Sequence, residues 1–179
     1  MQMRARLAGA EDAAAIAAIY NQGIEDRVAT FETQPRTPAD IETLLAHRLP
    51  AYPAVIVESG DRMVGFAWAA PYSSRPCYAG IGEFSVYVDR DARRMGVGRV
   101  ALAELIAKCE RRGFWKLTSR VFPDNRASLR LCLALGFREV GIHERHARLD
   151  GVWKDVVIVE RLLGPAAGFD GEPAVSVRG

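Results

Sequence analysis

Apolar residues at helical spacing fill three segments of the chain, which predicts amphipathic helices over 12–24, 98–112 and 125–135. Glycine follows the second and third segments directly and is a common residue at a helix end. A fourth helix is predicted from its start signal, because Thr37 is a favoured capping residue and Pro38 suits the first helical position. This helix is expected to run to about Arg48.

Other segments have the pattern of β-strands. Residues 54–58 and 63–70 flank a short Ser-Gly-Asp turn, which predicts a hairpin. Residues 83–88 alternate between two faces, with Glu83 and Tyr87 on the same one. Further strands are predicted over 116–121, 137–148 and 152–162, and the last two flank Asp150-Gly151, a strong hairpin signal. The order of helices, hairpin, β-α-β-α and two final strands predicts a single α/β domain over 1–163.

Composition narrows the class of protein. The chain has 179 residues and a formal net charge of +2, which gives no indication of nucleic-acid binding. No stretch approaches the ~20 consecutive apolar residues that a membrane span needs. The three cysteines are widely spaced, which argues against disulfides and a zinc site and is typical of a reducing cytoplasm. Residues 164–179 contain four glycines and two prolines and are expected to form a mobile tail.

The positive charge is concentrated in one segment that carries a candidate anion site. Residues 89–116 contain eight basic and four acidic side chains. A predicted strand there leads into a glycine-containing loop and then a helix, whose first N–H groups and dipole favour a phosphate. A solvated basic turn is the alternative, and the sequence lacks the features of a P-loop or a dinucleotide fingerprint. The loop residues are Arg93, Arg94, Met95, Gly96, Val97 and Gly98.

Two motifs in this order resemble those of the GNAT superfamily of N-acetyltransferases. One is Arg93-x-x-Gly96-x-Gly98, and the other is Asn125-x-x-Ser128, followed by Gly136-Phe137. The resemblance implies a central mixed, mostly antiparallel sheet that is splayed at an acetyl-CoA site and flanked by helices. It also implies that the acetyl-CoA co-substrate contacts Val86, Tyr87, Val88, Arg93, Arg94, Met95, Gly96, Val97, Gly98, Asn125 and Ser128, with no metal.

Shorter segments resemble the phosphinothricin acetyltransferase family within that superfamily. They are Tyr20-Asn21, residues 29–35, Tyr52-Pro53, residues 83–88 and residues 151–156. This resemblance implies N-acetylation of a small acidic amino-acid analogue such as phosphinothricin, methionine sulfoximine or arsinothricin, with resistance by detoxification. It further implies direct attack in a ternary complex and a homodimer. A protein N-terminal acetyltransferase and a non-catalytic acyl-CoA sensor are the alternatives.

The resemblance also assigns catalytic roles. Glu83 matches the general base that takes the proton from the substrate ammonium, which is a role a carboxylate can fill. The backbone N–H of Val88 matches the donor to the thioester carbonyl oxygen. The usual Tyr seven residues after Asn125 is replaced by Cys132, which leaves the acid for the departing thiolate open. Tyr87 is a second candidate for that acid, and a packed core aromatic is the alternative for it.

The loop before residue 83 is the candidate site for an acidic substrate. Arg75 is suited to bidentate bonds with an oxyanion, although a solvent-facing arginine is the alternative. The resemblance places substrate contacts in this loop and in the segment around Phe31. The predicted substrate-binding residues are Phe31, Tyr72, Ser73, Arg75, Tyr78 and Glu83.

Overall fold

A computed structural model describes residues 2–168, which form one seven-stranded sheet and four α-helices. The helices are α1 (Ala13–Asp26), α2 (Pro38–Arg48), α3 (Val97–Arg111) and α4 (Arg126–Ala134). The strands are β1 (Met3–Leu7), β2 (Ala54–Ser59), β3 (Arg62–Pro71), β4 (Ile81–Val88), β5 (Lys116–Val121), β6 (Arg138–Leu149) and β7 (Val152–Leu162).

All four predicted helices and all six predicted strands are confirmed, with boundaries shifted by a few residues. The prediction missed β1, which precedes the first predicted helix. This strand carries two arginines, and one of them, Arg6, is held by charges from elsewhere in the fold. Its guanidinium donates to Asp12 and to Glu58 at 2.8 Å each. A polar residue that looks solvent-facing in the sequence therefore fixes β1 against β2 and the start of α1.

The strand order is β1-β2-β3-β4-β5-β7-β6, and neighbouring strands are antiparallel except for β4 and β5. The parallel pair is joined by α3, which crosses one face of the sheet as a connection between parallel strands requires. The sheet is thus mixed and mostly antiparallel, as the resemblance implied.

Hydrophobic cores cover both faces of the sheet. Val55 and Val57 point into the core under α3, whereas Ile56 points into the core under α1 and α2. All three side chains are fully buried. Two-sided burial explains why β2 is a continuous apolar run, since a strand with one solvated face would alternate with polar residues.

Helix α2 begins as its sequence predicts. The Thr37 hydroxyl accepts a hydrogen bond from the Asp40 N–H at 3.2 Å, and the Asp40 carboxylate accepts one from the Thr37 N–H at 2.8 Å. This reciprocal pair satisfies two N–H groups at the helix start, and such caps contribute about 1 kcal/mol. The cap fixes α2 so that its last residue, Arg48, lies over β3.

The predicted tail begins with a short 3-10 helix, Gly164–Gly168. The rest of that segment, residues 169–179, lies outside the described residues. Within residues 2–168, no helix has both the length and the apolar character to cross a membrane.

Candidate active site

The sheet opens between β4 and β5. Hydrogen-bonded register runs from Ile81↔Lys116 to Glu83↔Thr118 and ends there. One further contact follows, from the Ser119 hydroxyl to the Phe84 carbonyl at 2.8 Å. Beyond it, the two strands diverge and a cleft opens between them. The residues lining the cleft come from both strands, α4 and two loops: Ala29, Phe84, Ser85, Val86, Tyr87, Ser119, Arg120, Val121, Phe122, Asn125, Ser128, Leu131 and Cys132.

The backbone N–H of Val88 points toward this opening. Asp89 donates its N–H to the Val64 carbonyl of β3 at 3.0 Å. Successive N–H groups of an extended strand point to opposite edges, so the N–H of Val88 is directed away from β3. The Phe84 carbonyl, four residues earlier, faces β5 in the same way. Val86 and Val88 lie at alternate positions after Phe84, so their backbone groups also face away from β3, and the register with β5 has ended before them.

The loop after β4 forms a cradle at the start of α3. Gly96 has a φ of +86°, and the N–H groups of Arg99 and Val100 both donate to its carbonyl. The N–H groups of Val97 and Gly98 precede these bonds and belong to the unpaired donors of a helix start. A Cβ on Gly98 would lie 3.2 Å from a methyl group of Leu131, which lines the cleft. Glycine at this position therefore keeps open the junction between the helix start and the cleft.

The loop arginines differ in their partners. Arg93 donates to Asp26 at 2.6 Å, and Arg90 contacts the same carboxylate. Burial alone would raise the pKa of Asp26, but these two guanidinium groups lower it below its ordinary value. Arg94 and Arg99 are exposed and have no ion-pair partner among residues 2–168. The charge available to an anion here thus comes from Arg94 and Arg99, while Arg93 anchors the loop to α1.

Asn125 caps α4, as its sequence context predicted. Its side-chain oxygen accepts a hydrogen bond from the Ser128 N–H at 3.2 Å. Its amide nitrogen donates to the Val28 carbonyl at 3.1 Å, which ties α4 to the loop after α1. Both Asn125 and Ser128 line the cleft on the side opposite β4. The second motif therefore lines the cleft, whereas the glycine loop of the first lies beside it, where Gly98 faces Leu131.

Glu83 is the last residue of β4 that pairs with β5. Its carboxylate forms an ion pair that the sequence analysis did not predict. Arg120 donates to one Glu83 oxygen from Nε at 3.0 Å and also from Nη2. The Glu83 side chain is 28% exposed. Arg120 lies two residues beyond Thr118 and shares its strand face, so the parallel register of β4 and β5 is the signal that predicts this pair. Glu83 itself does not line the cleft, but the ion pair fixes its carboxylate against Arg120, which does.

Tyr87 packs into the core under α1, on the same sheet face as Glu83. Its ring lies 4.7 Å from that of Tyr20 and stacks on Phe66 at 5.4 Å. Burial, together with Tyr20, raises the pKa of Tyr87 well above its ordinary value. The hydroxyl stays protonated at neutral pH, so it can donate a proton or a hydrogen bond; its assignment as an acid remains a prediction.

Tyr20 belongs to a polar cluster that the sequence did not indicate as part of the site. Burial and the Glu32 carboxylate raise the pKa of Tyr20 to about 12. Burial would also raise the pKa of Glu32, but Arg36 and the Tyr20 hydroxyl lower it. The Arg36 guanidinium donates to Glu32 at 2.8 Å. This cluster fixes the segment that contains Phe31, whose ring meets that of Phe122 edge-on at 4.9 Å.

The loop before β4 brings the other predicted substrate residues together. The rings of Tyr72 and Tyr78 meet edge-on at 5.8 Å, and the Arg75 guanidinium lies 5.9 Å from the Tyr78 ring centre. The Ser73 hydroxyl accepts the Arg75 N–H at 3.2 Å. This exposed group lies where β3 ends and β4 begins, since Pro71 pairs with Gly82. It does not line the cleft between β4 and β5.

Cys132 lines the cleft from α4 and is 2% exposed. Burial raises the pKa of its thiol to about 11, so the thiol is protonated at neutral pH. It is therefore available as a weak proton donor at the position where the resembled superfamily often has Tyr.

Comparison with known proteins places this geometry among acetyltransferases. Residues 16–137 match the model of the acetyltransferase (GNAT) family. The chain is 35% identical to phosphinothricin N-acetyltransferase of Alcaligenes faecalis over 86% of this chain and 79% of that protein.

Two solved structures are similar over nearly their whole length. A phosphinothricin acetyltransferase of Sinorhizobium meliloti in complex with acetyl-CoA has a TM-score of 0.88 at 27% identity, covering 99% of this chain and 97% of that one. A ribosomal-protein-alanine N-acetyltransferase of Brucella melitensis has a TM-score of 0.86 at 29% identity, covering 89% of this chain and 99% of that one.

Proposed function

Because the chain belongs to the acetyltransferase (GNAT) family, we propose that it acetylates the α-amino group of a small acidic amino-acid analogue of the phosphinothricin type. Membership in the family makes it an N-acetyltransferase that uses acetyl-CoA. The observation that carries the proposal is the opening of the sheet directly after Glu83. The Glu83 carboxylate, held by Arg120 of the cleft, is thereby close to the backbone groups of Val86 and Val88, which pair with neither β3 nor β5.

The residues around the cleft fit acetyl-CoA. Gly98 leaves room where any side chain would press on Leu131, and the N–H groups of Val97 and Gly98 suit a pyrophosphate. Unpaired groups along β4 suit the amides of an extended pantetheine arm. Acetyl-CoA supplies an acetyl thioester, whose carbonyl carbon is the electrophile.

The chain's own groups supply the proton transfers and the charge stabilisation. Glu83, held by Arg120, takes the proton of the substrate ammonium directly or through one water, and the free amine then attacks. The N–H of Val88 donates to the carbonyl oxygen as negative charge develops there. Cys132 or Tyr87 gives a proton to the departing thiolate, and the second proton that the nitrogen loses on forming the amide restores that donor through solvent. Direct attack in a ternary complex accounts for the site without a covalent enzyme intermediate.

An exposed cation near the start of β4 supports the proposal that the substrate is acidic. Arg75 is exposed beside two tyrosines, and its side chain has no ion-pair partner among residues 2–168. A guanidinium of this kind binds a carboxylate or a phosphinate in bidentate fashion. Modification of such an analogue would serve detoxification, and we place the enzyme in the cytoplasm, where acetyl-CoA and free thiols are available.

The proposal includes a homodimer, which the outer hairpin of the sheet supports. The residues Val140, Ile142, Val152 and Trp153 of β6 and β7 are all between 47% and 60% exposed. Exposed large apolar side chains on an outer element of a fold often mark an interface. Light scattering after gel filtration tests this directly, with twice the monomer mass expected.

Glu83→Gln tests the catalytic proposal. We expect kcat/KM to fall by about 10²–10⁴-fold, since proton transfer by a positioned base contributes about that much. The Kd for acetyl-CoA should change little, and part of the activity should return at high pH, where free amine forms in solution. Glu58→Gln is the matched control, because Glu58 is a strand carboxylate that is 24% exposed and paired with an arginine. Equal losses in both variants would contradict the assignment.

A second candidate, acetylation of protein N-termini, is favoured by the likeness to the Brucella melitensis structure. A substrate panel separates the two. It contains phosphinothricin, methionine sulfoximine, arsinothricin, ordinary amino acids and N-terminal peptides, and thiol release is the readout. High kcat/KM for one analogue and little for peptides is expected. Activity confined to peptides would replace the proposed function with the second candidate.

A further inference from the structure

Arg48 at the end of α2 has a buried guanidinium nitrogen without a partner. The Nη1 atom is inaccessible to solvent and makes no hydrogen bond within residues 2–168. The guanidinium carbon lies 5.1 Å from the centre of the Trp68 ring, so the group rests against an aromatic side chain. Buried polar groups are nearly always hydrogen-bonded, and an unpartnered one needs an explanation.

Arg48 lies on the sheet face that carries the proposed base. Trp68 pairs with Ser85 across β3 and β4, and Ala70 pairs with Glu83. Directly paired residues of an antiparallel ladder share a face, so Trp68 and Glu83 are on the same side of the sheet. Ser85 lines the cleft, so a group that rests on its partner Trp68 lies beside the cleft.

The nearby carboxylates do not neutralise Arg48. Glu32 and Glu83 are close enough to interact with its charge. Glu32, however, pairs with Arg36, and Glu83 pairs with Arg120. Burial lowers the pKa of Arg48, but an arginine remains protonated in proteins. Beside the cleft there is therefore a positive charge with one donor, Nη1, that is shielded from water and has no hydrogen-bond partner among residues 2–168. Arg48 as a whole is only partly buried, so its guanidinium can still be reached.

We propose that Arg48 binds an oxyanion of the acceptor amino acid. The inference rests on the proposed function and names a second cation for it besides Arg75. An oxyanion is the group that matches a planar guanidinium, and a desolvated charge pair is stronger than one at the surface. The oxyanion is either the α-carboxylate or the acidic side-chain group, and the experiment below distinguishes these two possibilities.

The test compares two substrates on wild-type protein and on Arg48→Met. Phosphinothricin carries an anionic phosphinate, whereas methionine sulfone has a neutral sulfone on a similar chain. Methionine packs against Trp68 but has no charge. We expect KM for phosphinothricin to rise by about 10- to 150-fold, which corresponds to one lost hydrogen bond to a charged group. The Kd for acetyl-CoA should stay within about twofold.

The pattern across substrates identifies the oxyanion. A loss on phosphinothricin alone assigns Arg48 to the side-chain group, and an equal KM loss on both assigns it to the α-carboxylate. Arg48→Lys should restore part of the affinity in either case, which a merely structural role would not require. Arg111→Met is the control, because Arg111 is a 62% exposed arginine on α3. If Arg48→Met does not fold, Arg48→Lys alone should raise KM by about tenfold.

The outcomes that overturn the inference differ from those that overturn the function. Unchanged KM for both substrates in Arg48→Met refutes the inference and leaves acetylation intact. A fall in kcat with no change in KM, or no recovery in Arg48→Lys, also refutes it. A wild-type protein that acetylates no amino acid in the panel refutes the proposed function, and the inference fails with it.

Discussion

Replacing Gly98 separates cofactor affinity from stability. Gly98 is the second residue of α3 and has an ordinary helical backbone there, so Ala should fit the helix and raise its stability by up to about 1 kcal/mol. Its Cβ, however, would lie 3.2 Å from Leu131 and 3.5 Å from Val88. Leu131 can yield by a few tenths of an ångström to Ala, but the branched side chain of Val fills the junction.

The magnitude follows from the donors that the side chain covers. Val at position 98 hides at least one N–H group at the start of α3 from an anionic ligand. One hydrogen bond to a charged group is worth about 1.5–3 kcal/mol, so the Kd for acetyl-CoA should rise by about 10- to 150-fold. Gly98→Ala should raise it only a few-fold, while its Tm rises by about 2–4 °C.

Isothermal titration with acetyl-CoA measures the affinity, and a thermal melt of each variant measures the stability. The reasoning is refuted if Gly98→Val binds acetyl-CoA as wild type does while its melt shows a folded protein. It is also refuted if affinity and Tm fall together in both variants, because the effect would then be one of folding.

Two further predictions concern burial. Burial would raise the pKa of Asp12, but hydrogen bonds from Arg6 and the Gly9 N–H lower it, so its stabilising effect should be lost as pH falls below about 4. Asp12→Asn should therefore cost about 1–3 kcal/mol in urea unfolding at pH 7 and less as the pH falls below about 4; a cost that does not change with pH would contradict the ion pair. In native protein, a thiol reagent at pH 8 should modify Cys77 quickly and the other two cysteines slowly, because burial raises the pKa of Cys109 to about 12 and of Cys132 to about 11. Three fast-reacting thiols in native protein would refute this.

Local signals predicted the helices, most of the strands and the glycine loop at the start of α3, because the causes of these features are local. Thr37 caps a helix through hydrogen bonds to a residue three positions away. Gly96 is required by a positive φ at that one residue. The resemblance extended these signals to Asn125, whose capping bond is also local.

Residues that depend on long-range contacts were missed. Arg120 meets Glu83 across 37 positions of sequence, and Arg6 meets Glu58 across 52. Arg48 ends an ordinary helix, and no motif in the sequence marks it. It stands out only because it packs on Trp68 and because the nearby carboxylates pair with other arginines. A single sequence gives the spacing of such groups but not the register of the sheet that brings them together.

The divergence of β4 and β5 gives the sheet an edge in its interior. Sheet edges are otherwise the outermost strands, and they are liabilities because their free groups can pair with another chain. Here the free edge lies inside a cleft whose far wall is α4, so a second polypeptide cannot approach it as a strand. A slender ligand with its own amides can approach, and it would complete the sheet much as a missing strand does. Binding and folding are thereby coupled through the same backbone groups: at a ligand concentration 100 times Kd, the folded state would gain about 2.7 kcal/mol. The level of the acyl donor in the cell would then help to set how long this enzyme survives, as well as how fast it works.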